Sequence, residues 1–228
     1  MTLKERYDAI VQTVAEACEA AGRPRDAVRI IGVSKTVDLP AVAEAIEAGI
    51  RDFGENRPDE LVRKHDAFPD VRWHFIGNIQ SRQLDKVVGR ACLIHSLYQA
   101  HHADKIERLA ADLGIVQDVL IEVNDGESNK QGADPADVAG LLSHCAGLPH
   151  VNVVGLMTMA PVGDLSVAEQ AFERVAALRE SLVASGCAAP GLHELSMGMS
   201  DDYPAGIAAG ATMVRIGRAI FSDDYARD

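Results

Sequence analysis

The chain has 228 residues, 47% hydrophobic and 25% charged, a globular composition long enough for one barrel-sized domain with a sizeable core. A net charge of -12 argues against nucleic-acid binding through bulk electrostatics. No apolar run reaches membrane-spanning length and no basic-then-apolar N-terminal signal precedes the first helix, which excludes a membrane role and points to the cytoplasm. Cys18, Cys92, Cys145 and Cys187 form no C-x-x-C pair and read as free thiols of a reducing compartment.

In chain order, Leu3, Tyr7, Ile10, Val11, Val14 and Cys18 share one face and predict a first helix over 3–21, closed by Gly22 and Pro24. The run Arg29-Ile30-Ile31-Gly32-Val33-Ser34-Lys35-Thr36 reads as a buried parallel strand, about 28–34, ending on a single lysine. A helix over about 39–48 follows. Further strands are expected at about 50–53, 72–76, 92–95, 118–123, 151–156, 192–195 and 212–216. Helices are expected from Pro58 and over about 80–88, 100–113 and 135–146. Ser166 and Glu169 have capping-box spacing and open another helix, with Val167, Phe172, Val175, Leu178 and Leu182 as its apolar face. Ser200 is expected to cap the helix after the seventh strand, and a last helix begins near Arg218. Eight strand–helix units in this length predict an α/β fold, a parallel (β/α)8 TIM barrel with an extra N-terminal helix, as one domain over 1–228. An open doubly wound sheet is the weaker fit.

A surface lysine at a strand end is ordinary, but the C-terminal ends of barrel strands are where such folds place chemistry, and Lys35 stands at one. A second signal is Leu195-Ser196-Met197-Gly198-Met199-Ser200-Asp201-Asp202, after strand seven. Ser196 offers a hydroxyl, and a turn through Gly198 can aim backbone N–H groups into one concavity. Strand eight ends in Arg215-Ile216-Gly217-Arg218, and Gly217 permits close approach of a ligand to the backbone. Loops after strands seven and eight are the usual phosphate site of such barrels; a capped helix with no ligand is the plainer alternative. An amine facing a phosphate site suits a phosphate that carries a carbonyl, either pyridoxal 5′-phosphate (PLP) or a sugar phosphate. Arg215 suits a pyridine nitrogen that stays unprotonated, or else an ion pair with a strand-end carboxylate. Asn56, after strand two, is placed to bond a ring substituent. His74 reads as a satisfied core histidine and Lys130 as a solvated loop lysine. No metal-ligand spacing, nucleophile elbow or Walker loop is present.

These residues fall into a pattern. Gly32-Val33-Ser34-Lys35-Thr36, Phe53-Gly54-Glu55-Asn56, Trp73-His74-Phe75-Ile76-Gly77, Gly155-Leu156-Met157, the 195–202 run and Met213-Val214-Arg215-Ile216-Gly217 resemble, in order and over nearly the whole chain, the PLP homeostasis proteins of the YggS/PROSC family. The resemblance implies a fold like the N-terminal barrel of alanine racemase. It implies PLP bound as a Schiff base on Lys35, with its pyridine nitrogen near Arg215. The phosphate would lie near Ser196, Gly217 and the adjoining backbone of Met197, Ser200 and Arg218. It further implies that the protein carries or buffers PLP, with PLP-dependent apo-enzymes as recipients. Gly77-Asn78-Ile79-Gln80, Gln83, Ser96-Leu97-Tyr98, Pro204 and Gly206 depart from the family pattern and bear on the rim, not on the cofactor residues.

Two enzymatic readings compete, an amino-acid racemase and a Schiff-base aldolase. Racemisation needs a base on each face of the substrate carbon. In the racemases the chain resembles, a tyrosine of an additional C-terminal domain supplies the second base. That domain is expected to be missing here, so no efficient racemase activity is expected. The lack of a leftover hydrophobic stripe leaves a monomer as the expectation.

Overall fold

The computed structural model describes residues 1–124, 131–161, 163–186 and 191–225. Helix α1 (Leu3–Ala20) leads, with a capping box in which Thr2 accepts from the Glu5 N–H and Glu5 reaches back to the Thr2 N–H. Then β1 (Arg29–Val33), α2 (Leu39–Glu47), β2 (Asp52–Glu55), α3 (Pro58–Ala67) and β3 (Arg72–Phe75) alternate. A 3₁₀ turn (Ser81–Lys86) precedes β4 (Leu93–Leu97), α4 (Ala100–Leu113), β5 (Gln117–Glu122) and α5 (Val138–Cys145). The chain continues through β6 (Val151–Met157), α6 (Leu165–Ala184), β7 (Glu194–Ser196), α7 (Tyr203–Ala208), β8 (Met213–Ile216) and α8 (Arg218–Phe221). The strands close into an eight-stranded parallel barrel in sequence order, β8 pairing with β1 from Arg29↔Met213 to Gly32↔Ile216.

Two apolar populations hold it. Alternate strand residues face the helices and join one large core that includes Phe53, Trp73, Ile94, Ile121, Leu195 and Val214. A separate cluster takes Ile31, Leu93, Leu120, Val154, Met157 and Met213 from β1, β4, β5, β6 and β8, and this is a layer of the barrel lumen. The rest of the lumen is polar, with Asp52, His74, His95, Ser196 and Arg215 all buried.

Several expected boundaries move. Strand two lies two residues later than its β-branched start suggested: Ile50 is buried before the strand, and pairing runs Asp52↔Arg72 to Glu55↔Phe75. Gly54 belongs to the strand because an added Cβ would stand 3.2 Å from Ile31 Cγ2. Strand four likewise runs on to Leu97. The 81–86 segment is a 3₁₀ turn, not an α-helix. Asp164, not Ser166, caps α6, accepting from the Ser166 N–H. Val11 and Val167 are exposed; Phe172, Val175 and Leu182 lie on the buried face of α6 as expected, joined there by Ala168 and Ala171. Asp202 occupies the N-cap position of α7, so Ser200 does not cap it. Cys18, Cys92 and Cys145 are free thiols, and Cys187 and Lys130 lie outside the described residues. No helix among the described residues is long and apolar enough to cross a membrane.

Candidate cofactor site at the barrel mouth

Parallel strands deliver their C-terminal ends to one mouth. Lys35 follows β1 there, exposed, and its amine has no hydrogen-bond or ion-pair partner among the described residues. Its backbone is firmly held. The Lys35 carbonyl accepts from Arg57 Nη2 at 3.0 Å. The preceding carbonyl, of Ser34, accepts from Lys64 Nζ at 2.7 Å. Lys64 also meets Glu55 Oε1 at 2.5 Å, and the Ser34 hydroxyl donates to that same oxygen at 2.9 Å. Glu55 Oε2 accepts from the Asn56 N–H at 3.2 Å. Glu55 and Lys64 are both 0% exposed. This ion pair in the wall between β2 and α3 therefore ties the loop carrying Lys35 to the loop carrying Asn56, whose side chain is exposed at the rim.

Arg215 fills the upper lumen. Its Nη1 donates to the Ser196 carbonyl at 2.8 Å and hydroxyl at 2.6 Å, and its Nη2 donates to the Thr158 carbonyl at 2.9 Å. Among the described residues, Nε–H and one Nη2–H are left without a partner. Burial brings the guanidinium down to about 10, with Glu122 and Asp202 opposing, so it stays cationic at neutral pH. It makes no ion pair with a strand-end carboxylate among the described residues, which removes the alternative of a simple salt bridge. Glu122 ends β5, and burial pushes its carboxyl up to about 7 against the pull of Arg215.

The 195–202 run divides its labour in a way the sequence did not show. Ser196 is fully buried, and its hydroxyl meets Arg215 and His95 Nδ1, the latter at 3.0 Å. It is therefore placed as an anchor for Arg215, not as a group at the mouth. Met197 gives its N–H to the Met213 carbonyl and its side chain to the core. Gly198 has φ +92°, and a Cβ there would sit 2.7 Å from Tyr203 Cα, so only glycine makes this turn. Met199 donates its N–H to Asp202 Oδ1 at 2.6 Å. Ser200 is the hydroxyl that reaches the final strand's loop, accepting from the Ala219 N–H at 3.3 Å. Gly217 lies against Val33, whose carbonyl oxygen would be 3.3 Å from an added Cβ. Arg218 turns outward to Asp201 and over the Tyr225 ring, 5.6 Å from its centroid, so only its backbone faces the mouth.

An anionic oxygen has donors here. Gly198, Ser200 and Gly217 each keep a backbone N–H without an acceptor among the described residues, and Ser200 adds its hydroxyl. With the Lys35 amine and the spare N–H groups of Arg215 at the same end, the residues fit an aldehyde-bearing aromatic phosphate. Sequence reasoning missed Lys64, Glu55, Thr158, Glu122 and His95. The available signal for Lys64 was a lysine three positions after Leu61, on the buried stripe of α3.

Comparison with known proteins finds relatives over the whole chain. The family model for the alanine racemase N-terminal domain matches residues 6–224. The pyridoxal phosphate homeostasis protein of Aquifex aeolicus is 38% identical over 98% of this chain and 99% of its own. That of Pseudomonas aeruginosa is 38% identical, covering 98% and 97%. The structure of PipY from Synechococcus elongatus with PLP bound superposes with a TM-score of 0.83 at 31% identity, covering 97% of this chain and all of PipY. An alanine racemase of Clostridium difficile, 14% identical with a TM-score of 0.73 over 96% of this chain and 59% of its own, shares the fold. On these grounds the chain belongs to the pyridoxal phosphate homeostasis protein family, built on the barrel of the alanine racemase N-terminal domain.

Proposed function

We propose that this protein binds PLP at the barrel mouth and carries or buffers it, contributing to PLP and amino-acid homeostasis without efficient racemase activity. The observation that carries the reading is the meeting, at one strand-end mouth, of a guanidinium held by three hydrogen bonds with a lysine amine and a set of backbone donors that have no partner among the described residues. The PLP-bound structure of PipY, a full-length relative, supports it.

PLP supplies an aldehyde carbon that an amine can capture covalently. Lys35 is the residue placed to do so, and the Glu55–Lys64–Ser34 contacts fix where its backbone stands. Asn56 bonds the ring substituent from the neighbouring rim. Arg215 donates to the pyridine nitrogen and, remaining cationic, leaves that nitrogen without a proton. Ser200 and the backbone at Gly198, Gly217 and Arg218 receive the phosphate, while Ser196 and Met197 support them from behind. An unprotonated ring is a weak electron sink, which suits holding the cofactor and not turning over amino acids. The whole chain acts as one monomeric cytoplasmic domain that hands PLP to apo-enzymes.

The test is the visible spectrum of the purified protein after PLP loading and gel filtration. A yellow protein with stoichiometric PLP is expected. A protein that elutes colourless and free of PLP would refute the reading and favour a sugar-phosphate ligand.

A further inference from the structure

Asp52, His74 and His95 take no part in the mouth, yet they run from it to the opposite end of the lumen. His95 Nδ1 lies 3.0 Å from the Ser196 hydroxyl. His95 Nε2 lies 3.0 Å from His74 Nδ1, and His74 Nε2 lies 3.0 Å from Asp52 Oδ1. Asp52, at the start of β2, is also gripped by Arg72 through Nε at 2.7 Å and Nη2 at 2.5 Å. All four members from Asp52 to Ser196 are buried, and each has its partner within the chain.

The chemistry of the two ends dictates the middle. An ionised Asp52 only accepts, so His74 Nε2 carries a proton. A neutral His74 then accepts on Nδ1, which requires a proton on His95 Nε2. A neutral His95 in turn accepts on Nδ1, which draws the Ser196 O–H. The lone pairs of Ser196 are left for Arg215, which only donates. Every contact is satisfied in one direction, from Ser196 towards Asp52. The charges agree with this order. Burial lowers His74 despite Asp52, with Arg29 and Arg72 adding to the fall. Burial lowers His95 far below its usual value, and His74, Arg215 and Arg29 push it the same way. Burial raises Asp52, but bonds from His74 and Arg72 outweigh it and bring the carboxyl to about 2.

We propose that Asp52, His74, His95 and Ser196 are positioning residues for Arg215, joined in a one-way hydrogen-bonded chain in which both imidazoles are neutral and protonated on Nε2. The chain turns the Ser196 lone pairs to the guanidinium and so fixes the donor that meets the cofactor ring. The tautomers follow from the protein alone; the effect on the cofactor rests on the PLP reading.

The test uses the full-length protein with ¹⁵N-labelled histidine. Long-range ¹H–¹⁵N spectra are recorded from pH 5.5 to 8.5, without and with PLP. The expected result is a scalar ¹⁵N–¹⁵N coupling across the imidazole–imidazole bond, between a protonated Nε2 and an unprotonated Nδ1, on two rings that do not titrate. Absence of that coupling, an Nδ1–H tautomer, or an imidazolium on either ring overturns the proposal. PLP affinity and the absorption maximum are then compared for His95→Phe. Affinity is expected to fall on the order of tenfold, with a shifted band. If His95→Phe does not fold, Ser196→Ala cuts the same chain. Unchanged affinity and spectrum in a folded variant overturn the positioning role. A parent protein that takes up no PLP while showing the coupling would instead refute the cofactor reading and leave the chain intact.

Discussion

Replacing Lys64 by methionine is expected to strand a charge inside the barrel wall. Lys64 Nζ has two close acceptors, Glu55 Oε1 at 2.5 Å and the Ser34 carbonyl at 2.7 Å, and neither Lys64 nor Glu55 has exposed surface. Glu60 is 3.9 Å from Nζ and is partly exposed, so it adds little. Removing one member of a buried pair costs about 3–5 kcal/mol. That is a large share of a total stability of roughly 5–15 kcal/mol. Adding Glu55→Gln removes the stranded charge, and the single amide oxygen still accepts from Ser34 Oγ, while its NH2 replaces the oxygen that took the Asn56 N–H. The double variant is therefore expected to recover more than half of the Lys64→Met loss, about 2 kcal/mol or more. Urea unfolding of the parent, both single variants and the double variant measures this. Affinity for PLP separates stability from placement: the double variant lacks the donor to the Ser34 carbonyl, so affinity should stay on the order of tenfold below the parent. A single variant within 1 kcal/mol of the parent, or two single effects that simply add, would show that the pair is not desolvated and that the brace argument is wrong.

Borohydride reduction of the PLP-loaded protein followed by peptide mapping should place the pyridoxyl group on Lys35; label confined to another lysine would remove it from that role. Ser200→Ala is expected to weaken PLP binding by about 1–3 kcal/mol with an unchanged band, whereas Ser196→Ala should move the band through Arg215; calorimetry and absorption spectra distinguish the two. Incubation with L-alanine and chiral analysis should show turnover far below about 1 per second, and ordinary enzyme rates would restore the racemase reading. On acidification, His74 and His95, both held below their usual range by burial, bind protons less readily folded than unfolded, so they take stability away as pH falls below about 6.5. Asp52, depressed to about 2, contributes stability that is lost only as pH falls from its unfolded value through that point. Glu122, raised to about 7, opposes the histidines, because it favours the folded state more as pH drops from about 7 towards its unfolded value. Denaturation from pH 4.5 to 7.5 should thus show a steeper acid loss in Glu122→Gln than in the parent; a shallower one would contradict the assignment.

The barrel was legible because its signals are periodic. Eight apolar runs, each punctuated by glycine or a capping residue, permit few other arrangements, and Lys35, Gly198 and Gly217 announce themselves by residue type at strand ends. Strand limits were less legible where polarity misled. Glu55 looks like a loop residue, yet it is buried within the strand, where Lys64 meets it. The task of Ser196 was hidden for a related reason. The side chain of a strand's last residue points into the lumen or out of it according to register, and register is a property of the neighbouring strands. Contacts between residues 74, 95 and 196 arise only from closure, which no local pattern encodes.

Closure has a consequence for the order of events in the cell. The first four strands supply Lys35, Asn56 and both lumen histidines, whereas Ser196, Ser200, Arg215 and Gly217 arrive with the last two. A nascent or proteolysed half-barrel would thus own the reactive amine without the groups that orient a ring or receive a phosphate. Its lysine would react with aldehydes no more selectively than any exposed amine. On the proposed reading, selective capture begins only when β8 docks on β1, across 184 residues of sequence. By mass action, whatever binds only the closed form also pulls the seam shut, by RT ln(1 + [L]/Kd). Vitamer supply and the lifetime of the protein are in this way tied together at a single strand pairing.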